Sequence, residues 1–235
     1  MEEEVRNGKK LSLYFVRHGQ TYLNKNLRMQ GWADTPLTPE GIEIVKESGR
    51  GLAETEFVAA YSSDLHRTIA TAGHLLKENK HAFGLTLEPL SEFRETFFGT
   101  YEGEKGDVAW NEIAHHMGYA NQEELFQNAD VRETMNGTKA ADPTGDAEDF
   151  MTFWTRVEQG FLHVINRHRE TGGNVLIVAH GNTIRNIVHE LEPSMDEAVI
   201  LDNASVTVLA YENGLFKLER LNDTSHFKKH RKNEL

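Results

Sequence analysis

The segment LSLYFVRHG, residues 11–19, begins with six mostly apolar residues and ends in an arginine, a histidine and a glycine. A short apolar run bounded by charge and glycine is typical of a strand buried within a sheet. A second segment, NVLIVAHG at residues 174–181, repeats the pattern. Both segments predict a buried strand that stops where a histidine begins.

Outside these two strands, apolar periodicity and turn residues predict helices and strands in alternation. Further strands are expected at residues 57–63 and 85–90, and a hairpin at 205–211 and 216–221 around the turn 212–214. Helices are expected from Thr38-Pro39 onward, at 65–78 with Ser63 or Asp64 as its cap, at about 147–169 and at 184–191. This order predicts an α/β fold, a three-layer α/β/α sandwich with a mostly parallel central sheet. Ligands of such folds bind beyond the carboxyl ends of the strands.

Residues 101–148 differ from the rest of the chain because they are polar, weakly periodic and rich in Asn, Asp and Glu. Their apolar content looks too thin for a core of their own. We therefore expect one domain over residues 1–235, with a helical lid inserted at about 101–148.

Composition excludes several classes of protein. The 235 residues include no cysteine, so disulfides, thiolate nucleophiles and cysteine-based zinc sites are excluded. A formal charge of −12 disfavours nucleic acid and anionic membranes as partners. The polar start of the chain does not match a signal peptide, and no apolar run is long enough for a membrane span. The basic stretch at residues 228–232 is expected to be a solvated tail. A cytoplasmic protein is expected.

Two histidines at strand ends are the first candidates for chemistry. A neutral imidazole such as His18 is a good nucleophile near neutral pH, and the adjacent Arg17 offers a charged fork for phosphate oxygens. His180-Gly181 repeats this arrangement at the second strand end. Taken alone, a histidine after a strand is more often structural.

Two further charged residues have both a functional and a structural interpretation. Arg67 falls in the first turn of a helix, where the helix N-terminus favours an anion; the alternative is a surface pair with Asp64 or Glu56. Glu95 lies among phenylalanines and could donate a proton to a leaving group. Its alternative is a pair with Arg94.

The order of these motifs resembles the histidine phosphatase superfamily, the phosphoglycerate mutase-like group. The motifs are Arg17-His18-Gly19-Gln20-Thr21, Ser63 to Ala72 around Arg67, Glu95-x-x-x-Gly99-x-x-Glu102-Gly103, and Ala179-His180-Gly181. The resemblance covers roughly residues 11–211.

The resemblance implies a role for each matching residue. His18 attacks phosphorus, Glu95 protonates the leaving group and later activates water, and Arg17, Arg67 and His180 hold the phosphoryl oxygens. The remaining residues of the implied substrate pocket are Thr21, Asn24, Gln30, Gly31 and Gly181. Neither a metal nor a cofactor is implied, because positioning and fixed charge carry most of phosphoryl transfer.

The family contains both phosphatases and mutases, and a mutase needs cations for a second phosphate. Residues 101–149 hold twelve acidic residues against three basic ones. The paired-arginine Arg-Arg-x-Tyr segment of cofactor-dependent mutases is not found there. A negative lid is a poor site for a second phosphate, so a phosphatase acting on a small phosphorylated metabolite is favoured and a mutase is the alternative. Arg28, Arg94 and Arg132 remain candidates to reach the cleft.

Other classes of function stay open or are disfavoured. A non-catalytic module that binds phosphorylated ligands is the alternative from a different class. A metal hydrolase is disfavoured because no His-Glu-x-x-His is present, and a nucleotide kinase because no phosphate-binding Gly-x-x-x-x-Gly-Lys loop occurs. Both a monomer and a homodimer fit the sequence. His66 is interpreted as a bystander, and Tyr101, Trp110 and Trp154 as packing residues that could also shape a leaving-group pocket favouring apolar or aromatic esters.

Overall fold

The computed structural model describes residues 9–194 and 199–227. The polar start and the basic tail considered above lie outside these residues, apart from Lys9 and Lys10. The strands form one six-stranded sheet in the order β3-β2-β4-β1-β5-β6. Their bounds are β1 Leu11–Arg17, β2 Phe57–Ser62, β3 Leu87–Pro89, β4 Gly173–Ala179, β5 Val206–Glu212 and β6 Leu215–Asp223.

The centre of the sheet is parallel and one edge is antiparallel. β1 and β4 run side by side from the pair Leu11–Gly173 to the pair Arg17–Ala179, and β2 is parallel to both β4 and β3. β5 runs antiparallel to β1 and to β6. The mostly parallel sheet confirms the predicted fold class.

Helices cover both faces of the sheet. The bounds of the described α-helices, including those of the insertion, are α1 Tyr22–Lys25, α2 Pro39–Gly51, α3 His66–Glu78, α4 Gly106–His116, α5 Gln122–Asn128, α6 Val131–Ala141, α7 Phe150–His168 and α8 Gly181–Leu191. Strand residues alternate between two apolar clusters. Leu13 and Phe15 pack with α7 and α8, whereas Val16 packs with α2 and α3. The alternation follows from the two-residue period of a strand, and it confirms the three-layer sandwich. Within the described residues no helix is long and apolar enough to cross a membrane.

The hairpin forms where its turn residues predict it. Asn213 and Gly214 link β5 to β6 and have positive φ values of 52° and 83°. Two consecutive residues with positive φ are characteristic of the tight turn that matches strand twist. The turn chemistry of the sequence therefore fixed this edge of the sheet.

Helix starts match the prediction at α2 but differ at α3 and α8. Thr38 caps α2 by accepting the amide of Gly41 at 2.9 Å. The predicted cap of α3 by Ser63 or Asp64 is wrong, because the carboxylate of Asp34 accepts the His66 amide at 2.5 Å. Such a cap comes from a distant loop and leaves no local signal in the sequence. Helix α8 starts at Gly181, three residues earlier than expected.

The segment at residues 101–148 folds into α4, α5 and α6. Helices α4 and α5 bury an apolar cluster in which Ile113 and Leu125 are fully buried. The cluster also takes in Met29 and Phe98 from outside the segment. Each short helix contributes only a few apolar residues, so residues from outside the segment complete this core.

Candidate active site

The two strand-end histidines lie side by side at the carboxyl edge of the sheet. β1 and β4 are neighbours, and the amide of His18 donates to the carbonyl of Ala179 at 3.0 Å. The imidazole rings of His18 and His180 have their centroids 5.2 Å apart. The adjacency of the two parallel strands therefore brings both motifs into one site.

His18 is held in the tautomer that a nucleophile requires. Its Nδ1 donates to the carbonyl of Gly19 at 2.8 Å, which leaves the lone pair on Nε2. The side chain is nearly buried. Burial, and next the charges of Arg67 and Arg17, hold the pKa of His18 well below its usual value. The imidazole is therefore neutral and nucleophilic at neutral pH.

Arg67 is fully buried and held by several acceptors. Its Nη2 donates to the Gly31 carbonyl at 2.5 Å, and its Nη1 donates to the Ala33 carbonyl at 3.0 Å and to Asp34 at 3.2 Å. Its carboxylate partner is thus Asp34, and not Asp64 or Glu56 as the structural alternative supposed. These three contacts fix the guanidinium in the site.

His180 also contacts Arg67, and this contact sets its tautomer. Arg67 Nη2 donates to His180 Nδ1 at 3.0 Å, so Nε2 carries the proton and donates to the Ser63 hydroxyl at 2.7 Å. Burial, followed by the charge of Arg67, holds the pKa of His180 well below its usual value. In this neutral form His180 orients Arg67. Nδ1 of neutral His180 carries no proton, so His180 can donate from Nδ1 to a phosphoryl oxygen only when the imidazole is protonated.

Three buried N–H groups of residues at this site have no acceptor among the described residues: Arg17 Nε, Arg67 Nε and Gln30 Nε2. Arg17 is anchored at its other end, where Nη1 donates to the Leu201 carbonyl. An unsatisfied buried donor costs about 1–3 kcal/mol. Several such donors around one histidine are typical of a site that binds an anion.

The predicted residues Thr21, Asn24 and Gln30 form one hydrogen-bonded group. The Gln30 Oε1 accepts from the Thr21 hydroxyl at 2.6 Å and from Asn24 Nδ2 at 3.2 Å. Thr21 also caps α1 together with Asn24. With both acceptor positions occupied, the Gln30 amide turns its NH₂ group to the site.

Glu95 lies at the N-terminus of α8, not in the aromatic surroundings that the sequence suggested. Its Oε1 accepts the amides of Thr96 at 3.0 Å and Thr183 at 3.2 Å, and its Oε2 accepts the amide of Asn182 at 2.9 Å. Positive charge at the helix N-terminus stabilises such a carboxylate. The alternative pairing with Arg94 is wrong, because Arg94 pairs with both oxygens of Asp64 at 2.6 and 2.7 Å.

Two charged residues that sequence reasoning missed hold the loops of the site in place. Glu102 accepts the amides of Gly31, Trp32 and Ala33, and so fixes the carbonyls that bind Arg67. A Cβ on Gly31 would lie 2.0 Å from the Thr96 carbonyl, so a side chain there is excluded. Glu102 belongs to the Glu-x-x-x-Gly-x-x-Glu-Gly motif, which was a usable signal.

Arg156, on α7, is the second missed residue. Its guanidinium donates to the carbonyls of Glu92, Arg94 and Glu95 at 2.7–3.0 Å and pairs with Glu148. No motif in the sequence marks it. It is one of many arginines until the fold brings α7 against the Glu95 loop.

A cleft of about 240 Å³ opens onto the site. Arg17, Glu95 and Gly181 line it together with Asn24 and Gln30. His18, Arg67 and His180 lie deeper, with exposed fractions of 3% or less.

A second cavity of about 320 Å³ lies between α4, α5, α6 and the start of α8. The two cavities share the lining residues Phe98, Trp110, Asn182, Arg185 and Ile200. Arg185, which the sequence did not single out, follows Gly181 by four positions and therefore shares its helix face.

The arginines considered for the cleft divide into two groups. Arg28 lines the cleft. Arg94 is paired with Asp64, and Arg132 is paired with Glu190 at 2.5 Å and stacked on Phe150.

None of the acidic residues of the 101–148 segment is among the described residues that line either cavity. The expectation of a negative wall facing the ligand is therefore wrong for these cavities. Acidic side chains on these short helices point to solvent or cap helix ends, as Asp130 does for α6.

The arrangement supports nucleophilic attack on phosphorus. It combines a neutral imidazole, two guanidinium groups that stabilise developing oxyanion charge, and a carboxylate within the same cleft. Among the described residues no three His, Asp or Glu side chains are grouped as metal ligands.

Comparison with known proteins gives a consistent family. The model of the histidine phosphatase superfamily (branch 1) matches residues 13–224. A 2,3-bisphosphoglycerate-dependent phosphoglycerate mutase of Methanococcus vannielii is 29% identical over 226 residues, 90% of this chain and 95% of the relative. The crystal structure of a Bacillus anthracis phosphoglycerate mutase is 38% identical, with a TM-score of 0.91 over 96% of this chain and 98% of that one. A mycobacterial glucosyl-3-phosphoglycerate phosphatase, 24% identical, shares the fold with a TM-score of 0.70 over 92% of this chain and 99% of that one.

Proposed function

The chain belongs to the histidine phosphatase superfamily (branch 1), and from this premise we propose that it is a metal-independent phosphatase of small phosphomonoesters. The reaction proceeds through a phosphohistidine on His18. The natural partner is then a small phosphorylated metabolite. The observation that carries the proposal is the presence of unpartnered buried donors on Arg17, Gln30 and Arg67 at the site of a neutral His18. A phosphoryl group has three oxygens to accept them.

In the first step His18 Nε2 forms a bond to phosphorus while the bond from phosphorus to the alcohol oxygen breaks. The departing oxygen takes a proton from the Glu95 carboxyl group. Oε2 of Glu95 accepts a single backbone amide and faces the cleft, so it has a lone pair for that proton. Arg17 and Arg67 stabilise the charge on the phosphoryl oxygens.

In the second step water attacks the phosphohistidine. Glu95, now ionised, accepts a proton from the water as its oxygen bonds to phosphorus and the bond from phosphorus to His18 breaks. Inorganic phosphate leaves, and Glu95 is again protonated. Splitting one displacement into two lowers each barrier, and no step requires a metal.

A phosphoglycerate mutase is the second candidate. Two observations favour it: relatives named as mutases align over most of this chain, and Arg28 and Arg185 line the cleft outside the phosphoryl site. The acidic composition of residues 101–149 no longer argues against it, because those side chains do not line the cavities. We prefer the phosphatase because large apolar side chains such as Phe98, Trp110 and Phe126 line the cavity beside the cleft, and they offer a second phosphate no hydrogen bond.

The decisive experiment follows the phosphoenzyme in the presence of EDTA. Wild-type protein mixed with a ³²P-labelled phosphomonoester should form an acid-labile phosphoprotein and release inorganic phosphate. His18→Ala should lose both signals by a factor of at least about 10². His66→Ala, an exposed histidine beside Arg67 in the chain, is the matched control and should keep both. Undiminished turnover in His18→Ala would reject the mechanism.

The same preparation separates phosphatase from mutase and from a binding module. Faster interconversion of 2- and 3-phosphoglycerate than hydrolysis of any ester assigns the mutase. Ligand binding with neither phosphoenzyme nor turnover assigns the non-catalytic module.

A further inference from the structure

The cavity enclosed by α4, α5 and α6 adjoins the cleft of the nucleophile and has an apolar wall. Its residues include Phe98, Trp110, Phe126, Val131 and Met135. The aromatic rings contact one another edge to face, with centroids 6.1 Å apart for Phe98 and Trp110 and 5.2 Å for Trp110 and Phe126. A volume of about 320 Å³ lies within the range of small-molecule pockets.

Five polar side chains also line this cavity, and the buried hydroxyl of one of them, Thr96, has no hydrogen-bond partner among the described residues. The hydroxyl of Thr138 donates to the Thr134 carbonyl at 2.9 Å, and that of Thr134 donates to the Asp130 carbonyl at 2.8 Å. Arg185, at the junction with the cleft, donates to the side chain of Asn182 at 2.9 Å. The wall beyond the junction therefore offers mainly apolar contact.

The opening of the cavity carries large apolar side chains that remain accessible. Ile200 is 80% exposed and Phe126 52% exposed, and both line the cavity. Exposed apolar side chains grouped around a concavity mark a binding surface. Phe98, Trp110 and Ile200 also line the cleft. Because the two cavities share these walls, one molecule can extend from the cleft into the second cavity.

We propose that the phosphomonoesters this chain hydrolyses have a large apolar or aromatic alcohol, which binds against Trp110 and Phe126 while the phosphoryl group binds at Arg17 and His18. The proposal rests on the phosphatase function above and specifies its substrate class. A small anionic alcohol such as glycerate would leave the aromatic part of this wall without contact.

The test is a homologous series of alkyl phosphates from methyl to hexyl, whose leaving alcohols are alike in acidity. Each added methylene should raise kcat/KM about fourfold until the cavity is filled, the factor expected for burying one methylene. Benzyl phosphate should exceed methyl phosphate by at least about 10², and 3-phosphoglycerate should fall near the methyl ester. An equal kcat/KM across the series would overturn the proposal.

Single substitutions test whether the dependence on chain length arises at Trp110 and Phe126. Phe126→Ala, at a half-exposed position that tolerates truncation, should flatten the dependence of kcat/KM on chain length. Trp110→Ala should flatten it further. Phe83→Ala is the control, because Phe83 is a fully exposed aromatic residue that does not line either cavity. A series as steep in Phe126→Ala and Trp110→Ala as in the wild type would overturn the proposed location.

Failure of this proposal can be told apart from failure of the proposed function. Turnover through His18 with no chain-length dependence rejects the apolar site and leaves the phosphatase intact. Preference for 3-phosphoglycerate, lost in Arg185→Met, also rejects it, in favour of an anion site at the junction. If no ester is turned over, calorimetry with methylphosphonate and hexylphosphonate still decides, and equal affinities reject the apolar site.

Discussion

Replacement of Arg156 by methionine should uncouple the Glu95 loop from α7. The guanidinium is 17% exposed and pairs with Glu148, which is 8% exposed. It also donates to the carbonyls of Glu92, Arg94 and Glu95. Methionine removes all five hydrogen bonds, together with the cation–π contact between the guanidinium and the Phe153 ring.

The expected loss of stability follows from the contacts that Glu148 keeps and loses in this variant. Glu148 would keep the Phe97 amide at 2.9 Å but lose its cation. Breaking one partner of a buried ion pair costs about 3–5 kcal/mol. Because this pair retains some exposure, we expect a loss of about 3 kcal/mol in the free energy of unfolding.

Urea unfolding of three variants measures this effect. Arg156→Met should lose about 3 kcal/mol, and Glu148→Met less. The double variant should cost clearly less than the sum, with a coupling of about 2 kcal/mol. Arg156→Lys should cost less than methionine, because the lysine keeps a cation for Glu148 but cannot reproduce the planar fork that binds the three carbonyls.

Activity provides the second measurement. Displacement of Glu95 should lower kcat for alkyl esters by on the order of tenfold to a hundredfold. p-Nitrophenyl phosphate, whose leaving group needs no proton, should still phosphorylate His18 at nearly the wild-type rate in a single-turnover measurement, because Glu95 is then required only for the hydrolysis of the phosphohistidine. An unfolding free energy within about 0.5 kcal/mol of wild type, the range of neutral surface substitutions, would refute the reasoning.

Two further predictions concern the buried histidines. The pKa values of His18 and His180 lie well below normal and that of His226 is lowered to about 4, in each case mainly by burial. In the unfolded chain these groups bind protons near pH 6.5, so stability is complete above that pH and falls as pH drops below it. The urea midpoint should therefore decrease from pH 7.5 to pH 5.5, and less steeply in His180→Gln; a constant midpoint contradicts this. A dianion bound beside His180 favours its protonated form, so binding of tungstate, which is already a dianion at pH 7, should take up protons. Calorimetry in buffers of different ionisation enthalpy detects the uptake, and none should remain in His180→Gln.

The strands and most helices were predictable because their signals are local. The apolar runs before Arg17 and His180, the Thr38-Pro39 helix start and the Asn213-Gly214 turn each express a preference of a few adjacent residues. The start of α3 was not predictable, since its cap is Asp34, more than thirty residues away. The core of the insertion was not predictable for the same reason, because it is completed by Met29 and Phe98.

The candidate site also has parts with a local signal in the sequence and parts that depend on distant segments. His18, Arg67, Glu95 and His180 were found by motif, and the parallel pairing of β1 with β4 brings the two histidines together. The predicted environment of Glu95 was wrong, because two of the amides that bind its carboxylate belong to α8, more than eighty residues further along the chain.

The sequence by itself therefore determined the fold class and the candidate residues of the proposed phosphoryl site. These depend on periodicity and on side-chain chemistry, which local order records. Only the tertiary structure decided which groups hold those residues in place and which side chains line the cavity proposed for the leaving group. It revealed Arg156 behind Glu95 and the apolar wall of Trp110 and Phe126, and it turned the acidic side chains of the insertion away from both cavities. Contacts between distant segments depend on how helices pack, and a linear pattern of charge does not say which way a side chain faces.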